Sequence, residues 1–307
     1  WKNEGEKDGG GRLLKDVQQG RSGGRKMHIA ELLRGYGSQR DVGATTLKWL
    51  SLILSRFERF LGRPPSLDDF RDDIVNDWTA AMLAASQLSR ATVHGYRRGL
   101  LILWRFAVEQ GLVERMPAHI RRLKVPAPAP VAWTLDEVAA LANAASNLPG
   151  FHRTGADRSR VLHALVMVAW DSGLRLTDLL RLKFSDIGTT GNGVVVQHKT
   201  GNPVLFRLSG AAMSALEEIR LPKRTFIFGE VASRKAIFMA MREATLSAGL
   251  AGGTRKIRKS GATAVEAANP GAAMAYLGHK TPGLAYKHYV DPRLVQQQKP
   301  NPPPLAG

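Results

Sequence analysis

The sequence predicts a mainly α-helical protein with one small β-sheet, split into an all-helical unit and a larger α+β unit. Three observations carry this reading. Apolar residues recur at three- and four-residue steps between His28 and Val125. The run Val125-Pro-Ala-Pro-Ala-Pro130 is extended and semi-rigid, which marks a linker. Beyond it, two short β runs ending at His198 and Leu208 flank a Gly/Asn/Pro turn and form a hairpin among helical patterns. The expected boundaries are a disordered Gly-rich basic arm at 1–27, a helical unit at 28–125, a Pro-rich linker at 126–132, an α+β unit at 133–295 and a tail at 296–307.

Within the helical unit, Leu47, Leu50, Leu54, Phe57 and Leu61 share one face of a helix that Gly62 and a Pro-Pro pair close. Ser66-Leu-Asp-Asp69 reads as a cap with acidic first-turn residues, and Trp78, Met82 and Leu83 give the next helix its inward face. The helix predicted from Arg90 to Gln110 has two distinct arcs. Val93, Tyr96, Leu100, Leu103, Trp104 and Ala107 form the apolar one, and Arg90, His94, Arg97, Arg98 and Arg105 the basic one. With Arg121, Arg122 and Lys124, the stretch from Arg90 to Lys124 carries six more positive than negative charges. A solvated face normally mixes signs, so this one is expected to meet phosphates.

Whole-chain charge agrees. The net charge is +18 over 307 residues, which favours a polyanion as partner. The absence of cysteine excludes disulfides, thiol nucleophiles and cysteine-based zinc sites, and suits a reducing compartment. Apolar runs are too short to span a bilayer and no signal-peptide pattern opens the chain, so the expected location is cytoplasmic and nucleoid-associated. An opening on Trp1 instead of methionine is what a fragment or incomplete reading frame would give.

After the linker, Thr134-Leu-Asp-Glu137 has capping-box spacing and starts a helix. An apolar helix over 161–170 then meets Gly173, which is expected to end it and leave Arg175 at the start of a helix faced by Leu176, Leu179, Leu180 and Leu182. Arginine opposes the helix dipole there, but suits an anion held beside free amides. Lys199 falls beside the hairpin turn. Arg255 and Arg258 begin a cationic helix, His279 follows Leu-Gly, and Thr281-Pro282 starts a helix bearing Tyr286 and Tyr289. Arginines fit the oxygens of a phosphodiester, and a phenol can attack phosphorus and hold it covalently. The chemistry points to a nucleic-acid backbone.

Gly173-Leu-Arg175-Leu-Thr-Asp178, Lys199-Thr-Gly, Arg255-x-x-Arg258, Leu-Gly-His279 and Lys-His-Tyr289-Val-Asp-Pro, in that order, resemble the active-site boxes of the tyrosine recombinases, the family of phage integrases and Xer-type recombinases. The resemblance spans roughly residues 40–292. It implies a SAM-like core-binding domain followed by a catalytic domain, with duplex DNA as partner, a homotetramer in the synaptic complex and no cofactor or metal. It also implies site roles: Arg175, Arg258, Arg255 and His279 on the phosphate, Lys199 as general acid, Asp178 as an ordering acid and Tyr289 as nucleophile. Two departures stand out. Arg255 takes the place of the family's usual histidine, and arginine donates but cannot accept a proton. The family's nucleophile usually lies nine residues after the Leu-Gly-His histidine, where this chain has His288, with Tyr289 at ten and Tyr286 at seven; Tyr286 therefore stays as the alternative nucleophile. Alternatives for the whole chain are a type IB topoisomerase-like enzyme and a catalytically degenerate DNA-binding protein.

Overall fold

The computed structural model describes residues 27–85, 88–221 and 224–295. The expected tail at 296–307, and all of the expected arm except Met27, lie outside the described residues. The chain divides into two compact units between Ala127 and Pro128, inside the proline-rich stretch.

The first unit holds α1 (Ile29–Gln39), α2 (Ala44–Leu61), α3 (Asp72–Ala85) and α4 (Arg90–Glu109), with a 3-10 turn over Leu67–Asp69. The Ser66 cap thus starts a single 3-10 turn, and α3 begins three residues after it. One apolar core unites the four helices through Leu32, Leu50, Ile53, Phe57, Trp78, Leu100 and Trp104. Phe57 meets Trp78 edge-on at 5.1 Å, and Phe70 stacks on Trp104 at 5.7 Å.

The helical pattern of this unit does not continue over residues 112–124, which form no helix or strand. Gly111 leaves α4 in the left-handed region, and Pro117 removes a backbone donor and biases Met116 away from helix. Side chains do the work of a missing ladder. Trp104 Nε1 donates to the Arg115 carbonyl at 2.7 Å, Asn76 Nδ2 to that of His119 at 2.9 Å, and Arg97 Nη1 to that of Arg121 at 2.6 Å.

The second unit contains α5 (Leu135–Ser146), α6 (Arg158–Ser172), α7 (Leu176–Leu179), β1 (Asn192–Val196), β2 (Pro203–Arg207), α8 (Gly210–Glu218), α9 (Arg234–Ser247), α10 (Thr254–Ala268), α11 (Ala273–Leu277) and α12 (Pro282–His288). Helix α6 is the hub: Val161, Leu162, Ala164, Leu165, Val166, Val168 and Ala169 are buried around most of its circumference, because α5, α8, α9, α10 and β2 all pack on it. The strands pair antiparallel, from Asn192 opposite Arg207 to Val196 opposite Pro203. Val204 and Phe206 point inward while Val194, Val196 and Leu205 are exposed, the period-two alternation of a one-sided sheet.

The entry to this unit is clamped from its far end. Ala132 N–H donates to the Asp291 carboxylate at 2.9 Å and Trp133 N–H to Ser260 Oγ at 2.7 Å, and the capping box of Thr134 and Glu137 then opens α5. A second small core of Ala262, Ala273, Leu277, Ala285, Val290 and Val295 joins α10, α11 and α12. Helix α10 can approach α11 closely only because residue 261 is glycine. A Cβ there would lie 2.0 Å from the Tyr276 hydroxyl, which is held by its bond to the Trp170 carbonyl at 2.6 Å. Gly261→Ala is expected to destabilise the chain by about 1–3 kcal/mol in denaturant titration. Gly95→Ala, where nothing lies within 4 Å, should instead stabilise α4 by up to about 1 kcal/mol.

Candidate active site

Gly173 closes α6 in the left-handed conformation (φ 58°), which glycine adopts without strain, and turns the chain so that Arg175 caps α7. Helix α7 is a single turn of four residues, shorter than expected, so Arg175 is placed less by a helix dipole than by a specific partner. Its Nη1 donates to Gln197 Oε1 at 2.6 Å. Asp178, three residues on, is 1% exposed and accepts the His198 N–H at 2.9 Å. The acid therefore ties α7 to the hairpin turn that carries the exposed Lys199.

Arg258 projects from α10 into the interior and is 2% exposed. Its Nη1 donates to the Gly173 carbonyl and its Nη2 to the Leu277 carbonyl at 2.8 Å, so one guanidinium joins the end of α6 to the end of α11. Arg255 is exposed at the start of α10, one turn before Arg258. His279 follows Gly278 at the end of α11, its N–H bonded to the Met274 carbonyl at 3.0 Å.

The two tyrosines part company. Tyr289 is not on the helix face shared with Tyr286, as their three-residue spacing predicts. It is the C-cap of α12, with φ −129° and ψ −38°, and leaves the helical path there. Its ring lies 5.1 Å from that of His279, edge-on at 63°, and 5.2 Å from Arg258 Cζ. Tyr286 donates its hydroxyl to Glu266, a wholly buried carboxylate that also accepts the Gly271 and Ala273 N–H groups at 2.7 and 3.1 Å. Thr281 precedes α12, but its hydroxyl makes no cap bond.

Electrostatics follow from this placement. Burial alone would raise the Tyr289 phenol, but Arg258 and Arg175 outweigh it by charge and hydrogen bonding and draw it below the usual phenol value. Burial, then Arg258, Arg175 and His288, push the His279 imidazole down to about 4. Burial and the Arg175 charge also lower Arg258. Arg258 Nε, His279 Nδ1 and Asp178 Oδ2 are buried without a protein partner. Among the described residues, no three His, Asp or Glu side chains are arranged to hold a metal ion.

The model of the Phage integrase family matches residues 133–294, from the entry of the second unit to just past Tyr289. The chain belongs to the phage integrase family. As a phage integrase relative it is a tyrosine-type site-specific recombinase, an enzyme that breaks and rejoins DNA strands. Its fold is similar to that of a lambda integrase tetramer bound to a Holliday junction, with TM-score 0.70 and 19% identity over 93% of this chain and 83% of the other. It is also similar to XerH site-specific recombinase bound to a palindromic difH substrate, with TM-score 0.66 and 17% identity over 92% and 85%. A third match is the Tn1549 transposon integrase in complex with circular intermediate DNA, with TM-score 0.62 and 14% identity over 85% and 95%. At these identities the likeness is one of fold. No curated protein matches this integrase by sequence.

Sequence reasoning missed Gln197 in this integrase, a buried amide that its alternation on the inner hairpin face could have flagged. In the first unit, His94, Arg98, Arg105, Arg121, Arg122 and Lys124 are exposed as expected, and exposed Arg90 donates to the Lys124 carbonyl at 3.0 Å. Arg97 departs from the expected basic face. It is 7% exposed, because its wheel position borders Trp104 and the Arg121 carbonyl draws its guanidinium inward. Followed by NMR, the His279 ring should titrate near 4 instead of at an ordinary value of about 6.5. Arg258→Gln removes a positive neighbour and should move that midpoint upward.

Proposed function

We propose that Tyr289 is the nucleophile of strand cleavage: its phenol oxygen bonds to the scissile phosphorus, the P–O5′ bond breaks, and a 3′-phosphotyrosine and a free 5′-hydroxyl result. The single observation that carries this is the pull of Arg258 and Arg175 on the Tyr289 phenol, while the Tyr286 hydroxyl is committed to Glu266. With its phenol drawn below the ordinary value, Tyr289 gives up its proton to solvent more readily as its oxygen attacks. That matters in this chain, since Arg255 cannot accept a proton.

Arg175 and Arg258 then take up charge on the pentacoordinate phosphorus, joined by Arg255 and by His279, which stays neutral at ordinary pH and donates one ring N–H. The buried, unpartnered Nε of Arg258 supports that use. Lys199, exposed on a turn that Asp178 anchors, protonates the leaving 5′-oxygen. Attack by the 5′-hydroxyl of a partner strand reverses the chemistry and completes the exchange. The energy of the broken bond is kept in the phosphotyrosine, so no cofactor is required.

Duplex DNA is the proposed partner, met in the first unit by Arg90, His94, Arg98, Arg105, Arg121, Arg122 and Lys124. Four copies assemble in the proposed synaptic complex; a lambda integrase tetramer on a Holliday junction, of the same fold, supports this stoichiometry. The proposed location is the cytoplasm, on the nucleoid.

With a nicked suicide duplex, Tyr289→Phe should abolish the covalent protein–DNA adduct while leaving DNA affinity nearly intact, and Tyr286→Phe should retain it. An adduct that survives Tyr289→Phe overturns the assignment. Binding should weaken steeply with salt, and Arg98→Ala should reduce the slope of log K against log salt by about 0.9, the value of one phosphate contact. Arg97→Ala should leave that slope unchanged and lower the stability of the first unit instead.

A further inference from the structure

Gln197 directly follows β1 on the inner side of the hairpin and is 1% exposed. On that face its neighbours are apolar: Val195 precedes it by two residues, and Val204 and Phe206 lie on the facing strand. Another apolar side chain would suit such a place, since an amide buried without partners costs about 1–3 kcal/mol. Gln197 has three partners. Its Oε1 accepts from Arg175 Nη1 at 2.6 Å and from Thr200 Oγ1 at 2.8 Å, and its Nε2 donates to the Leu277 carbonyl at 3.1 Å.

The orientation of the amide is fixed by chemistry. A guanidinium can only donate and a carbonyl can only accept, so oxygen must face Arg175 and nitrogen must face Leu277. The Leu277 carbonyl is also the acceptor of Arg258 Nη2 at 2.8 Å. One side chain thereby connects Arg175, the turn holding Lys199 and the acceptor of Arg258. The next residue of that corner is Gly278, where a Cβ would fall 2.3 Å from Val204 Cγ2 and 3.3 Å from Gln197 Nε2, so the corner is packed directly on the amide.

We propose that Gln197 is a positioning residue for strand cleavage, setting the guanidinium of Arg175 and the turn of Lys199 in register with Arg258 through the shared Leu277 carbonyl. The inference rests on the proposed assignment of Arg175 and Arg258 to the phosphate and of Lys199 to the leaving oxygen. An amide is the suitable group for the task. Its oxygen orients Arg175 without cancelling its charge, which a carboxylate at the same place would do.

The test is single-turnover cleavage of a nicked suicide duplex by the full chain, measured across pH for Gln197→Met and Gln197→Glu. Gln197→Met should slow adduct formation by about 10–100-fold, the usual effect of losing a group that orients a ligating side chain, with DNA affinity unchanged. The rising limb of its pH–rate profile should move to higher pH, because a loosened Arg175 no longer holds the Tyr289 phenol down. Gln197→Glu keeps the shape and the acceptor, so it carries the test if Gln197→Met does not fold. It should be slow as well and show the same displaced limb, since its charge neutralises Arg175. Wild-type rates in both variants, or slow cleavage with an unmoved limb, would overturn the proposal. Arg175→Lys on the same duplex separates the two levels of the argument. If it cleaves at the wild-type rate, the phosphate assignment itself fails; if it is slow while both Gln197 variants are normal, only the role of Gln197 falls.

Discussion

A guanidinium taken almost wholly out of water costs several kcal/mol unless its donors and its charge are met. Arg258 meets that demand with two backbone carbonyls, those of Gly173 and Leu277, and not with a carboxylate. The choice has two consequences. The carbonyls satisfy N–H groups without cancelling charge, so the site stays positive. They also belong to the ends of two different helices, α6 and α11, so the arginine can be satisfied only when both ends are in place. Tyr289 packs against this fixed charge, and its depressed phenol follows from the packing.

Much of the second unit can be understood as support for that arrangement. Helix α6 is buried around most of its circumference and presents Gly173 from a rigid base. Gly261 lets Tyr276 lie against α10 and bond to the Trp170 carbonyl, which sets α11 and with it the Leu277 carbonyl. Burial drives the Tyr276 phenol up, and so keeps it a structural donor beside the same arginine that draws the Tyr289 phenol down. Two phenols near one guanidinium thus take opposite characters because one is sealed and the other is flanked by two cations.

The features that came out of the sequence correctly are those with a local cause. The caps and stops at Thr134 and Gly173, the hairpin turn and the two-faced α4 each depend on neighbours in the chain. What was misread depends on partners far away in sequence. Arg97 lies on the border of the basic arc, and only the Arg121 carbonyl decides that it turns inward. Residues 112–124 carry apolar side chains that suggest helix, yet they form none, and Trp104, Asn76 and Arg97 bond to their carbonyls instead. The spacing of Tyr286 and Tyr289 suggests one face. Glu266 claims the first and the backbone break at the end of α12 redirects the second. Gln197 looked like an ordinary strand residue because Arg175 and Leu277, which hold its amide, are distant in sequence.

Two guanidinium groups, those of Arg258 and Arg175, hold the phenol of Tyr289 below its ordinary value in spite of burial. The most direct measurement is a carbon-13 NMR titration of the protein with its tyrosine rings labelled, using Tyr289→Phe to assign the Tyr289 signal. The Tyr289 midpoint is expected below the ordinary value of about 10, moving upward when Arg258 is replaced by Gln. A Tyr289 signal that titrates at or above the ordinary value, and does not respond to the loss of Arg258, would contradict it.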